Sequence, residues 1–137
     1  MKWTYAIMGL IGIGALAVGF GLGLAVVHQA TAQQATGVDF KVLNTVDLGP
    51  DCPGYIARMR KVTFSPGANV PMHSHKERPE VAYILQGTLT DQRKDQAPTQ
   101  EKAGTSAVNG REIEHEVNNK TSKPVVVIGV DIIKKEQ

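Results

Sequence analysis

A chain of 137 residues with 15 basic and 13 acidic side chains has room for one ordinary domain, and a net charge of +2 is too small for a protein built to grip phosphate backbones. No stretch gathers five basic residues, so no nucleic-acid partner is expected. A single cysteine excludes an intramolecular disulfide and a cysteine-based zinc knuckle.

Lys2 is the only charge before Asp39, and Ala6 to Val27 is a run of 22 residues without a charged or strongly polar side chain. That length suits a membrane span. The following Ala30-Thr31-Ala32 is a small-x-small site of the kind signal peptidase cuts. Six glycines (Gly9, Gly12, Gly14, Gly19, Gly21 and Gly23) dilute the apolar run and its helix propensity. Residues 1–32 are therefore read first as a cleaved signal peptide, with an uncleaved membrane anchor through residues 6–27 as the alternative. Under either reading the folded part is exported, periplasmic or extracellular. Cys52 then sits in an oxidising compartment without a partner in its own chain, either as a half-buried small hydrophobe beside Pro53 or as an intermolecular disulfide or reactive thiol.

Residues 33–39 are small and polar and read as a linker, which leaves 40–137 as the domain. Phe40 to Leu43 begins a first short strand, and Leu48 to Gly54 is dense in turn formers. Ala57 to Ser65 is rich in β-formers and is closed by Pro66-Gly67. Val70 to His75 alternates cleanly. Glu80 to Gln86 is a further run ended by Gly87, and Thr88 to Arg93 continues it after a turn. Asp95 to Gly104 reads as a polar loop. Short runs follow at Thr105–Asn109, Ile113–Val117 and Pro124–Ile133. No stretch after residue 40 keeps a 3.6-residue period, and many short strands at close spacing point to an all-β sandwich or barrel.

His73 and His75 stand at i and i+2 of a strand and so project on one face, with Met72 and Ser74 turned away. Glu80 shares its face with Ala82 and Ile84, where a carboxylate needs a positive partner to be buried. His115 lies on one face with Ile113 and Val117, while Glu114 and Glu116 turn to solvent. A divalent cation would explain all four side chains. Taken singly they have plainer explanations: an exposed pair of histidines, a Glu80 paired with Arg78 or Arg58, and a hydrogen-bonded core His115. Glu77 in the loop is read as solvated, and Arg78 either holds a substrate carboxylate or caps the loop. Tyr83, with Val81 and Leu85, belongs to core or interface. Gln86 shares the face of Glu80 and could reach a bound ligand.

The spacing of the whole set narrows the choice. Gly67, five residues, His73, one, His75, four, Glu80, six, Gly87 resembles the first motif of the cupin superfamily without a departure. Gly104, ten residues, His115, three, Asn119 is similar to the second cupin motif, departing from it at Gly110 and Glu112, where that motif has proline and glycine. The resemblance covers residues 40–133 and is that of a small single-domain, type-2-like cupin. It implies an all-β jelly-roll barrel in which His73, His75, Glu80 and His115 bind one divalent metal, whether iron, manganese, zinc, nickel or copper. Glu80 is also the candidate catalytic base. The expected partner is a small-molecule ligand or substrate, handled in oxygenase-like or isomerase chemistry. The same fold also serves non-catalytic ligand binding and dimeric structural barrels, and a homodimer is expected here.

Overall fold

The computed structural model describes residues 34–135, all within the compact unit Ala32–Gln137. The expected signal or anchor at 1–32 lies outside the described residues. Among the described residues, 34–135, no helix is long and apolar enough to cross a membrane.

Eight strands run β1 Thr36–Asp47, β2 Tyr55–Ser74, β3 Glu80–Gln86, β4 Thr88–Arg93, β5 Thr99–Lys102, β6 Ser106–Asn109, β7 Glu114–Asn118 and β8 Val125–Lys134. All pair antiparallel, in the order β5-β4-β7-β2-β8-β3-β6, with β1 also on β2. The result is a nearly closed barrel. Alternation explains its inside: Val62 and Phe64 of β2, Ala82 and Ile84 of β3, and Val125 and Val127 of β8 all point inward.

Three expectations need correction. β1 starts at Thr36, so residues 36–39 are strand and not linker; their ladder bonds to β2 order them although only Val38 is partly buried. A short strand, β5, lies inside the expected loop 95–104; its residues are mostly exposed, which removes the apolar alternation that would mark it. Cys52 is exposed in the turn before β2 and is not a half-buried hydrophobe.

The two expected runs Ala57–Ser65 and Val70–His75 form one continuous strand. Its first half, to Phe64, pairs with β8, and its second half, from Asn69, pairs with β7. Pro66-Gly67 is thus a bend at which one strand passes from one wall of the barrel to the other. Gly67 takes φ +76°, a conformation that side chains with a Cβ rarely adopt. The bend is pinned from the far side by Asn119, which is 1% exposed. Its amide nitrogen lies 3.1, 3.0 and 2.8 Å from the carbonyl oxygens of Phe64, Ser65 and Lys123. Its carbonyl accepts from the backbone and hydroxyl of Thr121 at 3.0 and 2.7 Å. Its backbone exchanges hydrogen bonds with Gly67 and Ala68 at 2.9 Å each.

Asn119→Ala takes the amide donor from the Phe64 and Ser65 carbonyls, while the Lys123 carbonyl keeps the Thr121 hydroxyl. It should cost about 2–3 kcal/mol of stability in urea unfolding, while metal content of the folded fraction stays unchanged. A loss below about 0.5 kcal/mol, the range of ordinary surface changes, would show that the bend holds without the amide.

Candidate metal centre

The bend delivers the second half of β2 to the cavity. His73 lies in that half, His75 just past its end, and His115 opposite His73 in the β2–β7 pairing. A register shift between Val70 and His73 falls at Pro71, which has no N–H for the ladder. His75 and His115 are 1% and 4% exposed, and His73 is half-buried. The ligand atoms of the three rings lie within 4.8 Å of one another.

Each ring is held from behind at Nδ1. His73 Nδ1 is 2.9 Å from the Pro71 carbonyl, His75 Nδ1 3.0 Å from the Arg78 carbonyl, and His115 Nδ1 2.9 Å from Asp91 Oδ1. A carbonyl or carboxylate oxygen can only accept, so each Nδ1 carries the proton and donates it. Every Nε2 is then left with a lone pair. His75 Nε2 and His115 Nε2 face each other at 2.9 Å. Two lone pairs at that distance repel unless a cation lies between them. The spacing suits two nitrogens bound near a right angle to one divalent ion at about 2.1 Å. The donor set therefore fits a metal.

The charge states agree. Burial, chiefly, pushes His73 down from 6.5 to about 4, with the neighbouring rings and Arg78 adding to the effect against the Pro71 hydrogen bond. Burial likewise lowers His75. These two imidazoles are neutral ligands at pH 7. Asp91 is 3% exposed, and burial, the largest influence, would raise it. The hydrogen bond from His115 and the Arg93 guanidinium 3.3 Å away outweigh that and hold it below the usual carboxylate range. The resulting Asp91–His115 pair fixes the tautomer and ring orientation, as carboxylates behind metal-bound histidines do.

Glu80 is not brought into the imidazole cluster. It lies on the cavity wall, with Oε1 2.9 Å from Arg60 Nη2. Its hydrogen-bonded partner is thus Arg60, with the Arg78 charge acting on it from further off. Arg58 forks Asp131 at 3.1 and 2.8 Å, Arg60 reaches Asp131 at 3.0 Å, and Arg78 Nε stands 3.9 Å from it. Gln86 is exposed and hydrogen-bonds the Pro124 carbonyl, because a register shift after Ile84 turns it out of the cavity. Glu77 is solvated as expected. Tyr83, Val81 and Leu85 are 46–57% exposed, which leaves interface and removes core.

Sequence reasoning passed over Arg60, Asp91, Asn109 and Asp131. A signal existed for two of them: Arg60 follows the inward alternation of Val62 and Phe64, and Asp131 that of Val125 and Val127. Asp91 had none, because Leu89, Thr90 and Asp91 are buried in succession.

The model of the Cupin_2 family (Cupin domain) matches residues 60–132. No curated protein matches the chain. Among solved structures it is similar to an oxalate oxidase in complex with the substrate analogue glycolate, at 19% identity and TM-score 0.54, over 72% of this chain and 55% of that one. It is similar to the cupin domain of Schizosaccharomyces pombe Cnp3, at 17% and 0.57, over 72% and 61%. KdgF from a Halomonas species aligns at 17% and 0.55, over 74% and 82%. Identities this low carry the fold alone, and the chain spans 55% and 61% of the first two.

Asp91→Asn removes the negative charge behind His115 and should weaken metal binding about tenfold in a chelator competition, with the fold intact; unchanged affinity would detach Asp91 from the site. Chelator-treated protein should also lose stability as pH falls from 6.5 towards 4. In that window the unfolded chain takes up a proton that folded His73 refuses until about pH 4. Stability is therefore full above 6.5 and levels off below 4 as far as this group is concerned. Denaturant midpoints across the window check the sign.

Proposed function

The chain belongs to the Cupin_2 family, and from that premise we propose that it is an exported metal-dependent protein that acts on a small oxygen-bearing molecule inside the barrel. The observation that carries the reading is the convergence of three Nε2 lone pairs, each ring held by its own Nδ1 donor bond. His73, His75 and His115 would hold the ion. A bound divalent metal would polarise a substrate oxygen or, if redox-active, support oxygen chemistry. Three protein ligands leave coordination positions open, which a purely structural site normally closes. His73 and His115 open on a cavity of about 120 Å³.

The chain's own groups have separable tasks in this reading. Asp91 keeps His115 in the tautomer whose Nε2 faces the cavity. Glu80, on the same cavity wall, is the carboxylate available to take a proton from a bound molecule or to complete the ligand set. The apolar wall made by Val62, Phe64, Ile84 and Val127 keeps bulk water from the reacting groups. Export rests on residues 1–32. A homodimer is supported by Val81, Tyr83, Leu85 and Val108, exposed by 46–64% on the outer face of the adjacent strands β3 and β6.

Glu80→Gln keeps the shape and removes the charge. The variant should fold and retain a good part of its metal, yet lose most substrate-dependent turnover, read as O₂ consumption or product formation with metal content on the same preparation. If metal and stability both collapse while the parent turns over nothing, the enzyme reading gives way to a braced, non-catalytic barrel.

A further inference from the structure

Glu80 lines the same cavity as His73 and His115 but stands apart from the imidazole cluster. Among the described residues, the ligand atoms gathered within 4.8 Å of one another are those of His73, His75 and His115. The carboxylate is still a near neighbour of the rings: burial chiefly lowers His75, and the Glu80 charge acts against that effect. A carboxylate so placed either joins the imidazoles on a cation or stays with another positive group.

Strand register gives it the other group. Arg60, Gly129 and Ala82 are successive partners across β2, β8 and β3, and Arg58, Asp131 and Glu80 form the row beside them. Arg60 is the one long side chain of its row. Its guanidinium crosses to the neighbouring row, where Nη2 lies 2.9 Å from Glu80 Oε1 and 3.0 Å from Asp131 Oδ2. Gly129 completes the seat, since a Cβ there would collide with Glu80 Oε1. Arg60 itself has little room to follow a departing carboxylate. It is 6% exposed, with its guanidinium carbon 5.7 Å from the Phe40 ring centre. If Glu80 left, Arg60 would keep Asp131, whose two oxygens Arg58 already takes at 3.1 and 2.8 Å. A buried cation that loses one of its carboxylates is costly, and that cost opposes every swing of Glu80 towards the imidazoles.

We propose that Arg60 is a positioning residue that, with the space over Gly129, holds Glu80 off the metal, so that the three histidines alone bind the ion. The proposal rests on the metal-dependent reading of the cavity and fixes the role of one residue in it. Of the two tasks open to Glu80, proton acceptor and ligand, the latch selects the first. A carboxylate that is not bound to the ion keeps its charge and one oxygen for a molecule in the cavity.

The test measures zinc affinity by chelator competition and the cobalt(II) absorption spectrum, whose intensity falls as the coordination number rises, both on the full chain. Glu80→Gln should leave the zinc affinity within about tenfold of the parent and the cobalt spectrum unchanged, because no ligand is lost. Gly129→Ala fills the seat and keeps every charge. It should drive Glu80 onto the ion, tighten zinc binding about tenfold and weaken the cobalt absorption. Adding Glu80→Gln should undo both changes. Arg60→Met should act in the same way, again only while Glu80 is present. A Glu80→Gln protein that loses more affinity than this, or changes its cobalt spectrum, overturns the proposal, since Glu80 is then already a ligand. So does a cobalt spectrum that neither Gly129→Ala nor Arg60→Met alters. So does a gain that survives Glu80→Gln, which would belong to the lost arginine charge. Should Arg60→Met fail to fold, Gly129→Ala decides; should both fail, Glu80→Gln decides. In all these outcomes the parent takes up metal and the metal-dependent reading stands. A parent that binds neither zinc nor cobalt sinks that reading and the proposal with it.

Discussion

The cavity exists because one strand builds both of its walls. Up to Phe64, β2 pairs with β8 and contributes Arg60; beyond Asn69 it pairs with β7 and contributes His73. The change of partner needs a backbone that turns without losing its hydrogen bonds. Gly67 supplies the positive φ, and Asn119 supplies donors for the carbonyls that the turn strips of ladder partners. A buried carbonyl left unpaired would cost about as much as a lost hydrogen bond, so the bend and the asparagine have to occur together. The ionic wall and the imidazole wall are therefore placed relative to each other by residues that touch neither.

On the imidazole wall the decisive fact is direction. Neutral histidine can present either nitrogen, and a strand fixes only where the ring starts. Two backbone carbonyls and one carboxylate choose the tautomer three times over, in each case leaving Nε2 towards the others. Burial then keeps His73 and His75 from escaping the mutual repulsion by protonation. A divalent cation seated between them relieves two lone pairs 2.9 Å apart.

Much of this was legible in the sequence. Strand alternation alone put His73 with His75 and His115 with Val117, and the motif spacing joined the two strands. The glycines at 67 and 87 were readable as turn positions, and both take positive φ. What could not be read was anything fixed by register between distant strands. Glu80 meets Arg60 because β8 lies between β2 and β3 and carries a glycine at that level, a relation spread over residues 60, 80 and 129. Asp91 was hidden because β4 buries three residues in succession and gives no period to read. β1 and β5 were shortened or missed because their order comes from ladder bonds and not from an apolar face.

The ionic wall is the harder feature to account for by stability. Withdrawing Arg60, Asp131 and Glu80 from water carries a desolvation cost that their attraction scarcely recovers, and well-packed apolar residues of similar size often do as well or better in such places. The neighbouring row shows that the fold accepts apolar side chains at these depths, since Val62, Val127 and Ile84 align one step further along the same strands. A barrel selected for stability alone would continue that pattern upward. Instead it breaks in favour of charge, where Arg60 meets Glu80 and Asp131. The same cavity carries His73, His115, Asp91 and Glu101. A desolvation cost borne beside the imidazole cluster ties the choice of residues on one wall to the chemistry held on the other.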